Sequence, residues 1–209
     1  MGTAFVITLS QAILLFLATN IDHLVLLTLW FVRGRGRSGS TARIFAGQYL
    51  GFGSILAVTA VLGITSGFII PEEHLRWLGL LPLLIGLKAG FDEIRERVPA
   101  RRAADGTGED DDDAEKLAGK PLSILSVAAV TIANGGDEIG VYIPVFAISE
   151  PWQIAVYVVV FLLLAGVLLT LAKLITDRAG VGELLERLEA ILFPGVLIFL
   201  GILILADIL

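Results

Sequence analysis

Apolar residues in this chain come in long blocks, not at the period of a half-buried helix or strand. Six blocks approach or exceed the roughly 20 predominantly apolar residues needed to cross a bilayer: 4–32, 44–70, 75–91, 122–148, 152–175 and 190–209. The third is the shortest and carries Pro82. One long polar stretch, 92–121, separates the third block from the fourth. It holds the acidic run 109–113 beside Gly106 and Gly108, and it reads as a flexible cytoplasmic linker. The pattern predicts an all-α integral membrane protein of six transmembrane helices. Its organisation is a membrane unit over 1–91, the linker 92–121 and a second membrane unit over 122–209.

Composition agrees. Apolar residues are 56% of the 209 and charged residues 17%, against about 25% charged in soluble proteins. Mean hydropathy is +0.87. The net charge of −6 argues against a nucleic-acid partner, which rewards a basic face. With no cysteine in the chain, disulfides, thiolate metal sites and cysteine nucleophiles are excluded. The first block lacks a positive n-region and a small-residue cleavage site, so it reads as a span and not as a cleavable leader.

Of the 15 Lys and Arg, all but Arg76 follow span 1, join spans 3 and 4, or join spans 5 and 6. Cytoplasmic loops carry the excess of basic residues, so both termini are expected outside the cytoplasm. Trp30, Trp77 and Trp152 fit interface anchors, Gly47/Gly51 and Gly63/Gly67 fit close helix packing, and Pro82 and Pro194 read as kinks near helix starts. Gln48 and Tyr49 read as interfacial. Glu72, Glu73 and His74 crowd an outer turn.

Two segments resemble each other. Asn20-Ile21-Asp22-His23 leads to Phe31, and Asn134-Gly135-Gly136-Asp137-Glu138 leads to Phe146. In both, the Asp precedes the Phe by nine residues. Each copy heads three predicted spans, and an odd number of spans makes the halves run oppositely through the membrane. Inverted repeats with interrupted helices at mid-membrane are a recurring plan of secondary transporters.

Charged groups at a helix centre cost about 2.5–3.5 kcal/mol each on the insertion scale, and intramembrane ionisable residues mark ion paths by default. Thr19, Asp22 and His23 stand at i, i+3, i+4, and so do Asn134, Asp137 and Glu138, with Tyr142 four further on. The two rows are expected to meet as a cluster of oxygens and one imidazole. Gly135-Gly136 weakens the helix before the second row and Pro144 disrupts it after. A bound cation offsets the repulsion of three carboxylates, and protons are the alternative guests. Carboxylate and carbonyl oxygens suit hard divalent ions, while the imidazole moves the preference toward Zn or Cd. The competing reading is a polar network that only locks helices together. The match of Gly135-Gly136-Asp137-Glu138 to a cyclic-dinucleotide synthase signature is chance, since that motif needs a soluble domain.

Ala18-Thr19-Asn20-Ile21-Asp22, Gly47-Gln48-Tyr49-Leu50-Gly51, Asn134-Gly135-Gly136-Asp137 and Tyr142-Ile143-Pro144-Val145-Phe146 together resemble the cadmium resistance transporter family, within the lysine-exporter superfamily. The resemblance implies export of cadmium, and of zinc, across a prokaryotic plasma membrane, with Asn20, Asp22, Asn134 and Asp137 on the ion path. Two positions depart from the family's pattern: His23 stands where it often has a second acid, and Glu138 where it often has Asn. The expected function is proton-coupled efflux of a divalent metal, with no resident cofactor. The expected partners are the lipid bilayer and the metal, and a homo-oligomer is compatible with such a chain. An amino-acid exporter is the rival within transport, and an intramembrane aspartyl hydrolase built on Asp22 and Asp137 the rival outside it. The first lacks an intramembrane cation for a carboxylate substrate, and the second leaves Glu138 and His23 without work.

Overall fold

A backbone surrounded by hydrocarbon must satisfy its own hydrogen bonds, and uninterrupted apolar sequence does so as helix. The computed structural model describes residues 2–20, 22–96, 121–176 and 182–206, excluding the side chains of 22, 67, 72, 92–96, 137 and 182–193. Among the described residues every regular element is a helix. They are α1 (Gly2–Asn20), α2 (Asp22–Gly34), α3 (Ser40–Ile69), the short α4 (Glu72–Leu75) with a 3-10 turn Arg76–Gly79, α5 (Leu80–Glu96), α6 (Ile124–Asn134), α7 (Gly136–Ile148), α8 (Pro151–Ile175) and α9 (Gly182–Leu205). Residues 97–120 of the predicted linker, with its acidic run, lie outside the described residues.

Gly2–Asn20, Ser40–Ser66 and Pro151–Ile175 are each long and apolar enough to cross a membrane. The pair α6–α7 makes a fourth if read as one broken span. α5 falls short because its 17 residues include Lys88, Asp92, Glu93, Arg95 and Glu96. The fourth predicted block is not straight: the axes of Ile124–Asn134 and Glu138–Ile148 meet at 72°, at the Gly135-Gly136 pair expected to weaken it. The expected disruption at Pro144 is corrected, since α7 runs through it to Ile148. A proline removes one ladder bond, that of the carbonyl four residues back, and need not end a helix. Pro194 is likewise corrected, lying inside α9 instead of near its start.

The extensive helix contacts are α5 with α9, α3 with both α6 and α7, and α8 with both α1 and α2. Small residues set these approaches. A Cβ on Gly47 would stand 2.5 Å from the Val127 Cβ, and one on Gly51 2.7 Å from the Thr131 Cβ. Gly63 meets Phe146 the same way, at 2.5 Å. Between apolar helices in lipid, packing of this kind substitutes for the missing hydrophobic drive. The ends of the bundle are pinned by polar groups. Gln153 donates to Thr8 at 3.4 Å and Tyr157 to Gln11 at 3.2 Å, placing the start of α8 beside the start of α1. At the far end, Arg35 donates to the Thr176 carbonyl.

Trp30 corrects the expectation of an interface anchor: it is 0% exposed, with the Arg33 guanidinium 5.9 Å over its ring. Trp77 and Trp152 remain exposed, the latter donating its indole N–H to Glu150 at 2.6 Å.

Candidate functional site

α1 ends at Asn20 and α6 ends at Asn134, so the same residue type closes the first helix of both copies of the motif. In the last turn of α1, the Thr19 hydroxyl donates to the Leu15 carbonyl at 3.0 Å and the Asn20 amide to the Phe16 carbonyl at 3.1 Å. Both also reach across to α7. The Tyr142 hydroxyl lies 2.7 Å from Thr19 Oγ1 and accepts from Asn20 Nδ2 at 2.9 Å. Since the Thr19 proton points at Leu15, a consistent assignment has Tyr142 donating to Thr19. The Asn20 amide protons are committed to protein acceptors, a second being Thr19 Oγ1 at 2.9 Å. What Asn20 offers a cation is its carbonyl oxygen.

One turn further on, His23 of α2 faces Glu138 of α7. Nδ1 stands 3.5 Å from Oε1, and the two side chains are 1% and 0% exposed. Bonds of about 2.1 Å at a tetrahedral angle put two ligands of one ion about 3.4 Å apart. The pair therefore has a spacing that two ligands of one ion can adopt, and that a directly paired imidazole and carboxylate also adopt. Gly135 keeps the carboxylate in place by its own smallness. A Cβ there would stand 2.3 Å from Ile55 Cδ1 and 2.8 Å from Glu138 Oε2, whereas one on Gly136 meets nothing within 4 Å.

The structure thus brings together Thr19, Asn20, His23, Glu138 and Tyr142, with Asn134 half-buried and Pro144 buried nearby in sequence. The side chains of Asp22 and Asp137 lie outside the described residues, although both positions fall within helices, α2 and α7. Among the described residues no group of three or more His, Asp or Glu stands together.

Gln48 was missed. It is 3% exposed rather than interfacial, and its Oε1 accepts from Thr131 at 2.7 Å. Thr131 lies one turn before Asn134 on the face of α6 that meets α3. Its signal was present in the sequence: Gln48 precedes Gly51 by three residues, so it shares the face that the small residues press against the neighbour. Tyr49 does stay partly exposed, donating to the Leu162 carbonyl at 3.1 Å. Glu73 and His74 pair at 3.6 Å on the surface, away from this cluster.

Tyr142→Phe tests the cross-helix bonds. Deleting the hydroxyl removes both cross-helix bonds, while Asn20 keeps the Phe16 carbonyl and Thr19 keeps the Leu15 carbonyl. The cost is therefore about 0.5–1.5 kcal/mol per bond lost. Thermal unfolding in detergent is expected to show that loss, and an unchanged midpoint would mean the bonds contribute nothing to the fold.

The sequence model of the family described as cadmium resistance transporter matches residues 16–208, which takes in both copies of the motif. No curated protein and no solved structure shows a significant match to the chain.

Proposed function

The chain belongs to the cadmium resistance transporter family, and from that premise we propose that it exports Cd²⁺, with Zn²⁺ as a second substrate, from the cytoplasm in exchange for protons. The observation that carries this reading is the buried His23–Glu138 pair at ligand spacing. Its two members come from the two copies of the motif, so an ion between them touches both halves of the molecule. In this reading Asp22, His23, Asp137 and Glu138 bind the ion, and the carbonyl oxygens of Asn20 and Asn134 complete the shell. Thr19 and Tyr142 hold Asn20, while Gly135 and Gly136 open the helix. The carboxylates that release a divalent ion are the groups that accept protons, which couples the two fluxes.

We read the fold as six spans in two inverted repeats, 1–91 and 122–209, joined by a cytoplasmic linker, with both termini outside the plasma membrane. Helix pairing supports the repeat. Exchanging the halves turns the packing of α3 on α6–α7 into that of α8 on α1–α2, and it maps α5 on α9 onto itself. The basic residues on one side support the orientation.

Inverted vesicles loaded with a metal-sensitive dye provide the test. Cd²⁺ is expected to accumulate when the lumen is acid, and to stop accumulating when an ionophore collapses the gradient. Absence of cadmium accumulation would remove the export assignment, and accumulation indifferent to the gradient would remove proton coupling.

A further inference from the structure

Six buried aromatic side chains lie beside the cluster, toward one end of the bundle: Phe16 of α1, Phe52 of α3, Tyr142 and Phe146 of α7, and Tyr157 and Phe161 of α8. Their rings touch in series. Phe52 meets Phe16 at 5.9 Å, Phe16 meets Phe161 at 5.8 Å, and Phe161 meets Tyr142 at 4.9 Å and Tyr157 at 5.9 Å. Phe146 closes the set, 6.1 Å from Tyr142 and 6.0 Å from Tyr157.

The registers of three helices stack this layer between two polar ones. Along α1 the order is Thr8, Gln11, Phe16, then Thr19 and Asn20. Along α7 it is Glu138, Tyr142, Phe146 at intervals of four. Along α8 it is Gln153, Tyr157, Phe161, again at intervals of four. On the inner side of the rings lie the Thr19–Asn20–Tyr142 bonds and the His23–Glu138 pair. On the outer side lie Gln11 with Tyr157 and Thr8 with Gln153, near the starts of α1 and α8. Tyr142 and Tyr157 each give their ring to the layer and their hydroxyl to a polar tier, one facing each way.

We propose that this aromatic layer is the outer gate of the ion path, and that Gln11, Thr8, Gln153 and the Tyr157 hydroxyl form the vestibule beyond it. The assignment of sides rests on the orientation proposed above. The physical case is that a hydrated divalent ion cannot pass a contiguous stack of apolar rings without losing its water, so passage requires the rings to part. Three of the four contributing elements, α1, α7 and α8, belong to the helices that carry or face the site. Of these ring contacts only Phe16–Phe161 joins the two halves. Movement of one half against the other would therefore part the layer at that contact while leaving the hydrogen bonds within each helix intact. Polar groups held at both faces of a closed barrier let a cation wait on one side and leave on the other without a continuous pore.

The chain has no cysteine, so single cysteines can be placed and probed with a membrane-impermeant methanethiosulfonate from either face of sealed vesicles. Gln11→Cys is expected to react rapidly from the face bearing the chain termini. Thr19→Cys is expected to stay protected from that face. Adding Phe161→Ala, or Phe161→Leu should the alanine variant fail to insert, is expected to speed reaction of Thr19→Cys from that face about tenfold or more, equivalent to about 1.4 kcal/mol off the cost of opening. Gln11→Cys should react equally fast with or without the Phe161 change. Equal reaction of Thr19→Cys in both backgrounds, or a protected Gln11→Cys, would overturn the gate. Labelling uses no metal, so a failed gate and a failed cadmium site give separate results. Finding that the face bearing the termini is the cytoplasmic one would reverse the orientation and leave the barrier in place.

Discussion

Asp22→Asn and Asp137→Asn are each expected to abolish the cadmium tolerance that this chain confers on a sensitive host, with the protein still present in the membrane. Asparagine keeps the shape of aspartate and removes its charge, so insertion becomes easier while ion binding loses an anionic ligand. Partners that merely orient a metal ligand are worth about 10–100-fold in affinity or activity. A direct ligand should cost at least as much, beyond what a tolerance assay can register as growth. Glu138→Gln extends the test to a described carboxylate, 0% exposed and 3.5 Å from His23, and is expected to fall in the same class. His23→Gln should behave differently. Loss of the imidazole moves the donor set toward oxygen alone and with it the preference away from Zn and Cd. A metal panel in vesicles would register that as a change in ranking, not as silence. Full tolerance in both aspartate variants would remove the ion site from these helices.

The second large effect concerns packing, and its sign is the diagnostic. Gly→Ala within a helix ordinarily stabilises by about 1 kcal/mol, because alanine loses less backbone entropy. Gly47→Ala and Gly51→Ala are expected to do the opposite. The new Cβ at 47 would stand 2.7 Å from the Ile124 carbonyl oxygen as well as 2.5 Å from the Val127 Cβ, and at 51 it would stand 2.9 Å from the Ala128 carbonyl oxygen. These are backbone atoms and branch points, not flexible side-chain ends, so the helices must separate. Overpacking of this kind costs about 1–3 kcal/mol per site. Separation also stretches the 2.7 Å bond between Thr131 and Gln48, a loss both variants share, so the double variant should lose more than either single one but less than their sum. Gly53→Ala on the same helix is the control, since nothing lies within 4 Å of its Cβ, and it should be neutral or stabilising. Thermal melts in one detergent compare all of them, and a double variant as stable as the parent would show that α3 and α6 do not depend on this contact.

Much of this was legible in residue order. Apolar runs gave α3 and α8 close to their observed ends, because a span is a local property of about twenty residues and lipid leaves the backbone no alternative. The bend at Gly135 was legible too, since the weakness of a glycine pair is local. The pairing of His23 with Glu138 was legible only in outline: two polar segments too costly for lipid had each other to face. Each row at i, i+3, i+4 straddles a helix break, after Asn20 and after Asn134, so spacing did not fix which side chains meet. What misled were residues whose fate depends on a neighbour. Trp30 suits an interface by type, yet the packing of α2 buries it. Pro194 reads as a kink near a helix start in a window of sequence and sits well inside α9 in the fold. Gln48 reads as interfacial from its place near the start of its span; the face it shares with Gly51 hints at burial, and the arrival of α6 on that face makes it internal.

The division has a physical basis. Residue order alone determined that this chain is helical, membrane-embedded and furnished with acids where lipid forbids them, because hydrophobic transfer and backbone satisfaction act on each segment without reference to the others. Tertiary structure decided which helix meets which, and through that which polar groups become partners. The Tyr142 hydroxyl finds Thr19 and Asn20 across more than 120 residues of chain, and the Phe16 ring finds Phe161. Such contacts depend on close packing of whole surfaces, where a Cβ added at Gly51 would stand 2.7 Å from the Thr131 Cβ, and no local window of sequence contains that information.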